Sequence, residues 1–452
     1  MNLRETVNAL AGVISADTDG TSKVRRLVID SRKVRKGDIF AAFPGENVDG
    51  SLYAAEAVNR GASLVIMENR AAYDALQGNK VLVRDVLAAV KGLGAYKLRK
   101  YNGTKIAVTG SMGKTSTKEL ISSVLSSRRR VYTAYGNYNN ELGVAICAAN
   151  LNMRSTFAVF EFGTNSPGEI AELSKYVKPE IAVVTGIGHA HIGRMGSIEK
   201  LAEEKLSIVD GMKKDSVLWV NDTCRKYLDD KVLGSVEVRY YGEDMNCDVI
   251  LADANRNNKG QFYFTAVHKG FPYCFILDHV YSHFITNSLV AIGIGFSAGL
   301  DYQDVMKGVL KFKPVKGRGA VKVINGIRVI DDTYNAGFES IISAVENLDE
   351  MPDEKRYALI GEMGEIEGFE EMLYLRLYKE AKKRKDINFI FAGQSYRKFQ
   401  DTENISIAPT KEEARELVSG ISEGVVLIKA SRAKRFEEFI DFIEKEKKRS
   451  AV

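Results

Sequence analysis

No two cysteines in this chain are spaced as CxxC or as a zinc-ligand set; the four present, Cys147, Cys224, Cys247 and Cys274, are scattered. That excludes a disulfide framework or a zinc module, and it predicts buried thiols in a reducing compartment. A large excess of one charge is also missing, because the formal net charge is only +5 on 452 residues. The basic runs at 128–130 and 382–385 have no interleaved aromatics. They are expected to be solvated helix ends rather than a nucleic-acid surface. The longest apolar stretch, residues 288–300, falls short of the roughly 18–20 residues that a spanning helix needs. Arg4 and Glu5 stand where a signal peptide would place an apolar core. The expectation is a cytoplasmic monomer that does not insert into a membrane. Repeats and low-complexity tracts are absent as well.

What is present is ordinary globular composition, 45% hydrophobic and 27% charged, in a chain long enough for several cores. Short apolar strands near 27–29, 39–43, 64–66 and 81–83 mix with short helical stretches in the first hundred residues, and a charged link at 98–104 follows. From residue 105 strands alternate with helices: strands at 105–109, 157–161 and 181–185, helices at about 114–125, 197–211 and 285–296. This alternation predicts a mostly parallel sheet with helices on both faces. Residues 249–277 read as short strands joined by turns, an antiparallel insertion at the edge of the same sheet. A Lys, Gly and Pro-rich segment at 312–319 reads as a second linker. Beyond it, strands near 327–330, 357–360, 389–392 and 425–429 each precede a helical stretch, and Phe436, Phe439, Ile440 and Ile443 form a core stripe. The expected fold class is therefore α/β in three domains: a small α/β domain at 1–100, a central P-loop domain at 101–313, and a Rossmann-like domain at 314–452.

The strongest chemical signal follows the strand at 105–109. Gly110, Ser111, Met112, Gly113, Lys114, Thr115 and Ser116 join a strand to a helix. Glycines let the backbone turn its N–H groups onto phosphate oxygens, and the positive end of the helix faces the same anion. Lys114 would reach the β- and γ-phosphates, and the Thr115 hydroxyl a magnesium ion. The full GxxxxGK[ST] pattern is not met, because Val108 stands where its first glycine belongs. A nucleoside triphosphate site is the reading preferred over a structural glycine turn.

In the form Thr109-Gly110-Ser111-Met112-Gly113-Lys114-Thr115-Ser116 this loop resembles the T-G-x-x-G-K-[ST] loop of the Mur ligase family. Residues 136–143 (GNYNNELG), 161–170 (EFGTNSPGEI) and 331–336 (DDTYNA) look like segments of the branch that adds D-alanyl-D-alanine. The resemblance covers nearly the whole chain. It implies an ATP-dependent ligase that forms a peptide bond between a UDP-N-acetylmuramoyl-tripeptide and D-alanyl-D-alanine through an acyl phosphate, in cell-wall precursor synthesis. It implies ATP, two Mg²⁺ ions and a CO₂-derived carbamate on Lys205 as the chemical equipment.

Residue by residue, Ser31, Arg32, Gly45, Asp49 and Gly50 are similar to the family's UDP-sugar-binding loops. Glu161, His191, Thr115 and the carbamylated Lys205 match its metal ligands. On the residues alone, Glu161 ends a strand beside the phosphate-loop strand and supplies the hard oxygen Mg²⁺ prefers, whereas Lys205 alone reads as a solvated helix lysine. His283 and Asn287 match the residues beside the nucleotide base and ribose, and Arg318 and Asp332 those that close over the nucleotide. Asn137, Asn139, Asn140, Tyr334 and Asn335 fall in the region of the incoming amine. The family's Y-N-A-N-P becomes Tyr334-Asn335-Ala336-Gly337-Phe338 here, its G-D-M-L-E-L-G becomes residues 361–367 (GEMGEIE), and its K-G-S-R becomes Lys429-Ala430-Ser431-Arg432. These departures leave open a related ligase with another acid and amine. A P-loop phosphotransferase and a non-catalytic sugar-nucleotide binder are the remaining alternatives.

Overall fold

The computed structural model describes residues 1–45, 48–188, 195–228, 234–257, 261–279, 281–324, 326–353, 355–364 and 366–449. Three sheets follow one another along the chain. The first has five strands in the order Val13–Asp17, Lys80–Val83, Leu64–Met67, Ile39–Ala41, Leu27–Val28, all parallel except the first pair. Leu64, Val65, Ile66 and Met67 are all buried, the continuous apolar run expected of a parallel strand covered on both faces. The Val13–Asp17 strand escaped the sequence reading because most of it is exposed and carries little hydrophobic pattern.

The central sheet has nine strands in the order Phe271–Leu277, Phe262–His268, Val249–Arg256, Glu237–Gly242, Val217–Asn221, Ile181–Val184, Thr104–Thr109, Phe157–Glu161, Val131–Thr133. Its two outermost strands at the 249–277 end pair antiparallel and the remainder pair parallel, which is the predicted edge insertion. The third sheet runs Ala320–Ile324, Ile327–Asp332, Val425–Lys429, Arg356–Gly361, Ile387–Ala392, Ile405–Ala408, parallel apart from its first hairpin. The stripe Phe436, Phe439, Ile440 and Ile443 is buried, as its spacing predicts.

Several local expectations change. The link read at 98–104 shrinks, because the helix Val86–Lys100 buries Leu98 and the next strand begins at Thr104. The helix read at 197–211 is α-helical only over Ile198–Leu206 and tightens to a 3₁₀ turn over Ser207–Gly211. Three cysteines are buried as expected, but Cys274 is exposed, on the edge strand Phe271–Leu277 that has no neighbour on one side. Among the described residues no helix is long and apolar enough to cross a membrane.

The helix that carries the phosphate loop, Lys114–Ser126, is held from behind by His283–Ser297 and Tyr302–Lys311. Leu120, Ile121, Val124 and Leu125 are fully buried there. Gly295 and Gly308 let the helices approach: a Cβ on Gly308 would lie 2.4 Å from the Val124 Cα, a backbone atom that cannot rotate aside. Gly308→Ala should therefore lower stability by about 1–3 kcal/mol through overpacking. A urea-unfolding midpoint equal to that of the unaltered protein would contradict this packing account.

Candidate active site

In all three sheets some of the polar residues singled out by the sequence, among them Ser31, Glu161 and Asp332, lie at or just after the carboxyl ends of parallel strands, where open α/β sheets bind ligands; Lys205, His283 and Asn287 come from helices. In the first sheet the loops after Leu27–Val28 and Ile39–Ala41 lie side by side, because those strands are parallel neighbours. Ser31 Oγ donates to Glu56 Oε2 at 2.9 Å, and Arg32, with a largely exposed side chain, is paired with Asp30 at 2.9 Å. Asp49 accepts from Ser51 N at 2.8 Å and from Asn69 Nδ2 at 3.0 Å. These bonds, with the Arg32 charge for Asp30, hold Asp30 and Asp49 below the usual carboxylate range, Arg32 acting first on Asp30 and Asn69 first on Asp49. Gly50 is required by a close approach, since a Cβ there would fall 2.6 Å from the Phe43 carbonyl oxygen. Gly45 is similarly crowded by the Val48 carbonyl oxygen.

The phosphate loop is built as the sequence predicts. Gly110 has φ 146°, and a Cβ on it would meet the Thr185 hydroxyl at 2.1 Å; Gly113, with φ 77°, precedes the helix. The loop is pinned to the neighbouring strand's exit: Ser111 N donates to Gly186 O at 2.8 Å, Ser111 Oγ to Gly188 O at 3.1 Å, and the Thr185 hydroxyl to Met112 O. Ser116 is buried and Met112 exposed. The Lys114 ammonium folds back onto Gly110 O at 2.7 Å and Ser111 O at 3.2 Å. These two bonds keep the ammonium on the loop itself.

Around this loop lie buried polar atoms that have no hydrogen-bond partner among the described residues: Thr115 Oγ1, Glu161 Oε2, Lys205 Nζ and Asn287 Nδ2. Burying such groups unpaired is unfavourable, so their concentration at one place marks a ligand site. Glu161, only 1% exposed, ends the strand that pairs with the phosphate-loop strand in register with Val108. Its Oε1 accepts from Asn139 Nδ2 at 2.8 Å. Lys205 is fully buried, which corrects the plain reading of a solvated helix lysine. Burial, and after it the Lys114 charge, push its pKa well below the ordinary lysine value, against the opposing pull of Glu204 and Glu169. Among the described residues no three His, Cys, Asp or Glu side chains cluster as a metal set. His191 lies outside the described residues.

The third sheet contributes a separate cluster. Asp332 and Lys429 are register partners on adjacent parallel strands, and the Lys429 ammonium donates to Asp332 Oδ2 at 2.6 Å and to Asn335 O at 3.0 Å. The Arg318 guanidinium stacks over the Tyr334 ring at 4.0 Å. His283, at the start of the central helix His283–Ser297, has its pKa lowered to about 4 by desolvation, opposed by Asp332 and reinforced by Lys429 and Arg318. The central and third units thus meet around His283, and Ser282 N donates to Asn347 Oδ1 across the same boundary at 2.6 Å.

Several residues of the expected amine region are engaged in local structure. Asn140 caps the helix Glu141–Ala149 through Gly143 N, and Asn139 is held by Glu161. Asn335 Oδ1 accepts from Ala336 N at 2.9 Å. Asn137 is exposed. Sequence reasoning missed Lys118, and it read Lys429 and Asp331 only as letters of family-like segments, without a role for either. Asp331 is buried and gathers Gly317 N, Thr333 N and the Thr333 hydroxyl onto one carboxylate, fixing the linker turn. Lys118 stands four residues after Lys114 on the same helix, a spacing that puts both on one face without marking either as buried.

Comparison with known proteins matches this architecture. Residues 108–295 match the Mur ligase middle domain and residues 23–95 the Mur ligase family, catalytic domain. The chain is 29% identical over 437 residues to the UDP-N-acetylmuramoyl-tripeptide--D-alanyl-D-alanine ligase of Bacillus subtilis, covering 93% of each. It is 30% identical over 362 residues to the enzyme of that name from Synechocystis sp., covering 80% of this chain and 77% of the relative. The MurF ligase from Thermotoga maritima in complex with ADP superposes with a TM-score of 0.79 at 27% identity, covering 94% of this chain and 99% of that one. With that likeness over most of the chain and the phosphate loop in place, this protein belongs to the Mur ligase family.

Proposed function

We propose that this chain is an ATP-dependent ligase that joins D-alanyl-D-alanine to UDP-N-acetylmuramoyl-tripeptide, a step of peptidoglycan precursor synthesis in the cytoplasm. The observation that carries the reading is the set of buried, unpartnered polar atoms on Thr115, Glu161 and Lys205 beside an intact phosphate loop. It is supported by relatives of that name that match over most of their length. In this reading residues 1–100 hold the UDP-sugar through Ser31, Arg32, Gly45, Asp49 and Gly50. Residues 101–313 bind ATP, and 314–452 receive the amine and close over the nucleotide with Arg318 and Asp332.

A carboxylate oxygen of the tripeptide forms a bond to the γ-phosphorus of ATP while the bond from that phosphorus to ADP breaks. The amine nitrogen of D-alanyl-D-alanine then bonds to the acyl carbon, inorganic phosphate leaves, and the nitrogen loses a proton. The difficulty is that two anions must meet, so positioning and positive charge are the main protein contributions. Lys114 and the N–H groups of residues 112–115 hold the phosphates, and Arg318 compensates charge on the transferred group. His283, kept neutral by burial, and Asn287 flank the nucleoside. The amine approaches near Asn137, Tyr334 and Asn335.

Magnesium fits the donor set, because Thr115 Oγ1 and Glu161 Oε2 are hard oxygens with no hydrogen-bond partner among the described residues. Thr115, Glu161, His191 and Lys205 would hold it, and when bound it supplies charge neutralisation to the phosphates. Lys205 fits as a carbamate: burial favours the neutral amine, which is the form that attacks CO₂, giving an N-carboxylate and releasing one proton.

The test is phosphate release with UDP-muramoyl-tripeptides, with and without D-alanyl-D-alanine, followed by mass analysis. Release that requires the dipeptide, with a product heavier by the dipeptide less one water, is expected. A phosphorylated product instead of an amide would replace this reading with a phosphotransferase, and release driven only by another amine would correct the substrate.

A further inference from the structure

Lys118 is a lysine with no exposed surface that the reaction described above does not use. It lies one helical turn after Lys114, on the same face of the phosphate-loop helix. Its ammonium donates to Ala134 O at 2.9 Å and to Gly136 O at 2.8 Å, just beyond the strand Val131–Thr133. From there the chain turns into residues 137–140, and Asn139 in that turn donates to Glu161 Oε1. The same ammonium faces the other oxygen, Glu161 Oε2, at 3.8 Å. It also lies 3.2 Å from the partly exposed Glu119 carboxylate.

The distances divide the labour. At 3.8 Å the ammonium attracts Glu161 Oε2 without a hydrogen bond, so the lone pairs of that buried oxygen remain open. A buried carboxylate needs a counter-charge, and here it has one that does not occupy the oxygen a cation would take. The two hydrogen bonds to carbonyls anchor the turn that brings Asn139 onto Oε1. One side chain therefore orients both oxygens of Glu161, one directly and one through the turn.

We propose that Lys118 is a positioning residue for Glu161 in divalent-cation binding. This rests on the reading of Glu161 as a metal ligand. The test is titration of the full chain with Mn²⁺ in the presence of ADP, with free Mn²⁺ read by electron paramagnetic resonance. Groups that orient a metal ligand typically change metal affinity by about 10–100-fold. Lys118→Met and Lys118→Gln should each weaken Mn²⁺ binding by about tenfold, the Gln variant keeping an N–H for the Ala134 carbonyl should the Met variant not fold. Glu119→Ala should bind Mn²⁺ as the unaltered protein does. Because Lys118 acts through Glu161, the double variant Lys118→Gln/Glu161→Gln should bind no more weakly than Glu161→Gln, within about twofold.

Full affinity in a folded Lys118→Gln, or additive losses in the double variant, would overturn the proposal while leaving Glu161 a ligand. Unchanged affinity in Glu161→Gln would overturn the ligand reading, and this proposal with it.

Discussion

Lys114→Ala is expected to lower turnover by about a thousandfold, the loss of roughly 4 kcal/mol typical of removing a group that stabilises charge only in the transition state. The side chain bonds to Gly110 O and Ser111 O, which holds its charge at the loop. The variant should fold, because Lys114 contributes no core packing and the loop is pinned independently through Ser111 and Thr185. Binding of the UDP-tripeptide, measured by calorimetry, should be unchanged. Near-normal ATP-dependent turnover in this variant would remove the phosphate loop from the mechanism.

The second large effect is expected at Lys205. As an ammonium it would stand fully buried, without a hydrogen-bond partner among the described residues and within electrostatic reach of Lys114. Burial first and the Lys114 charge second disfavour the ammonium, against the pull of Glu204 and Glu169. A carbamate reverses the sign of the side chain and adds two oxygens that can accept hydrogen bonds or ligate a cation. Activity should fall when dissolved CO₂ is removed and recover with bicarbonate. Lys205→Ala should be inactive with or without bicarbonate. Independently of turnover, ¹³C-bicarbonate should give a protein-bound carbonyl resonance in the unaltered protein that Lys205→Ala lacks. A fully active protein with no such resonance would refute the carbamate.

Much of this site was legible in one dimension because its parts are contiguous. A glycine turn between a strand and a helix can be read from eight neighbouring letters, since local backbone geometry and the helix end do the chemical work. The loops after the first two parallel strands of the N-terminal sheet read from the residues alone only as polar loops; their sugar-nucleotide role came from the family resemblance. Lys118 was not legible, and Lys429 was legible only as a letter of a family-like segment, without its partner Asp332. Each is a lysine on an otherwise ordinary helix or strand, and nothing local separates a buried, carboxylate-paired lysine from a solvated one. Asn139 and Asn140 show the same limit from the other side. They are adjacent and chemically identical, yet one holds Glu161 and the other caps a helix.

The sequence by itself determined the α/β class, the alternation that makes parallel sheets, the antiparallel edge at 249–277 and the phosphate loop, because all of these follow from periodicity and short-range turn chemistry. Only the tertiary structure decided which charges are buried and which groups meet. Glu161 comes to the phosphate loop through a strand pairing 53 residues away from Val108 in the chain, Asp332 finds Lys429 across 97 residues, and Lys205 loses its solvent when its helix packs. Burial and pairing are properties of chain crossings, and those crossings set the electrostatics on which the chemistry of this site depends.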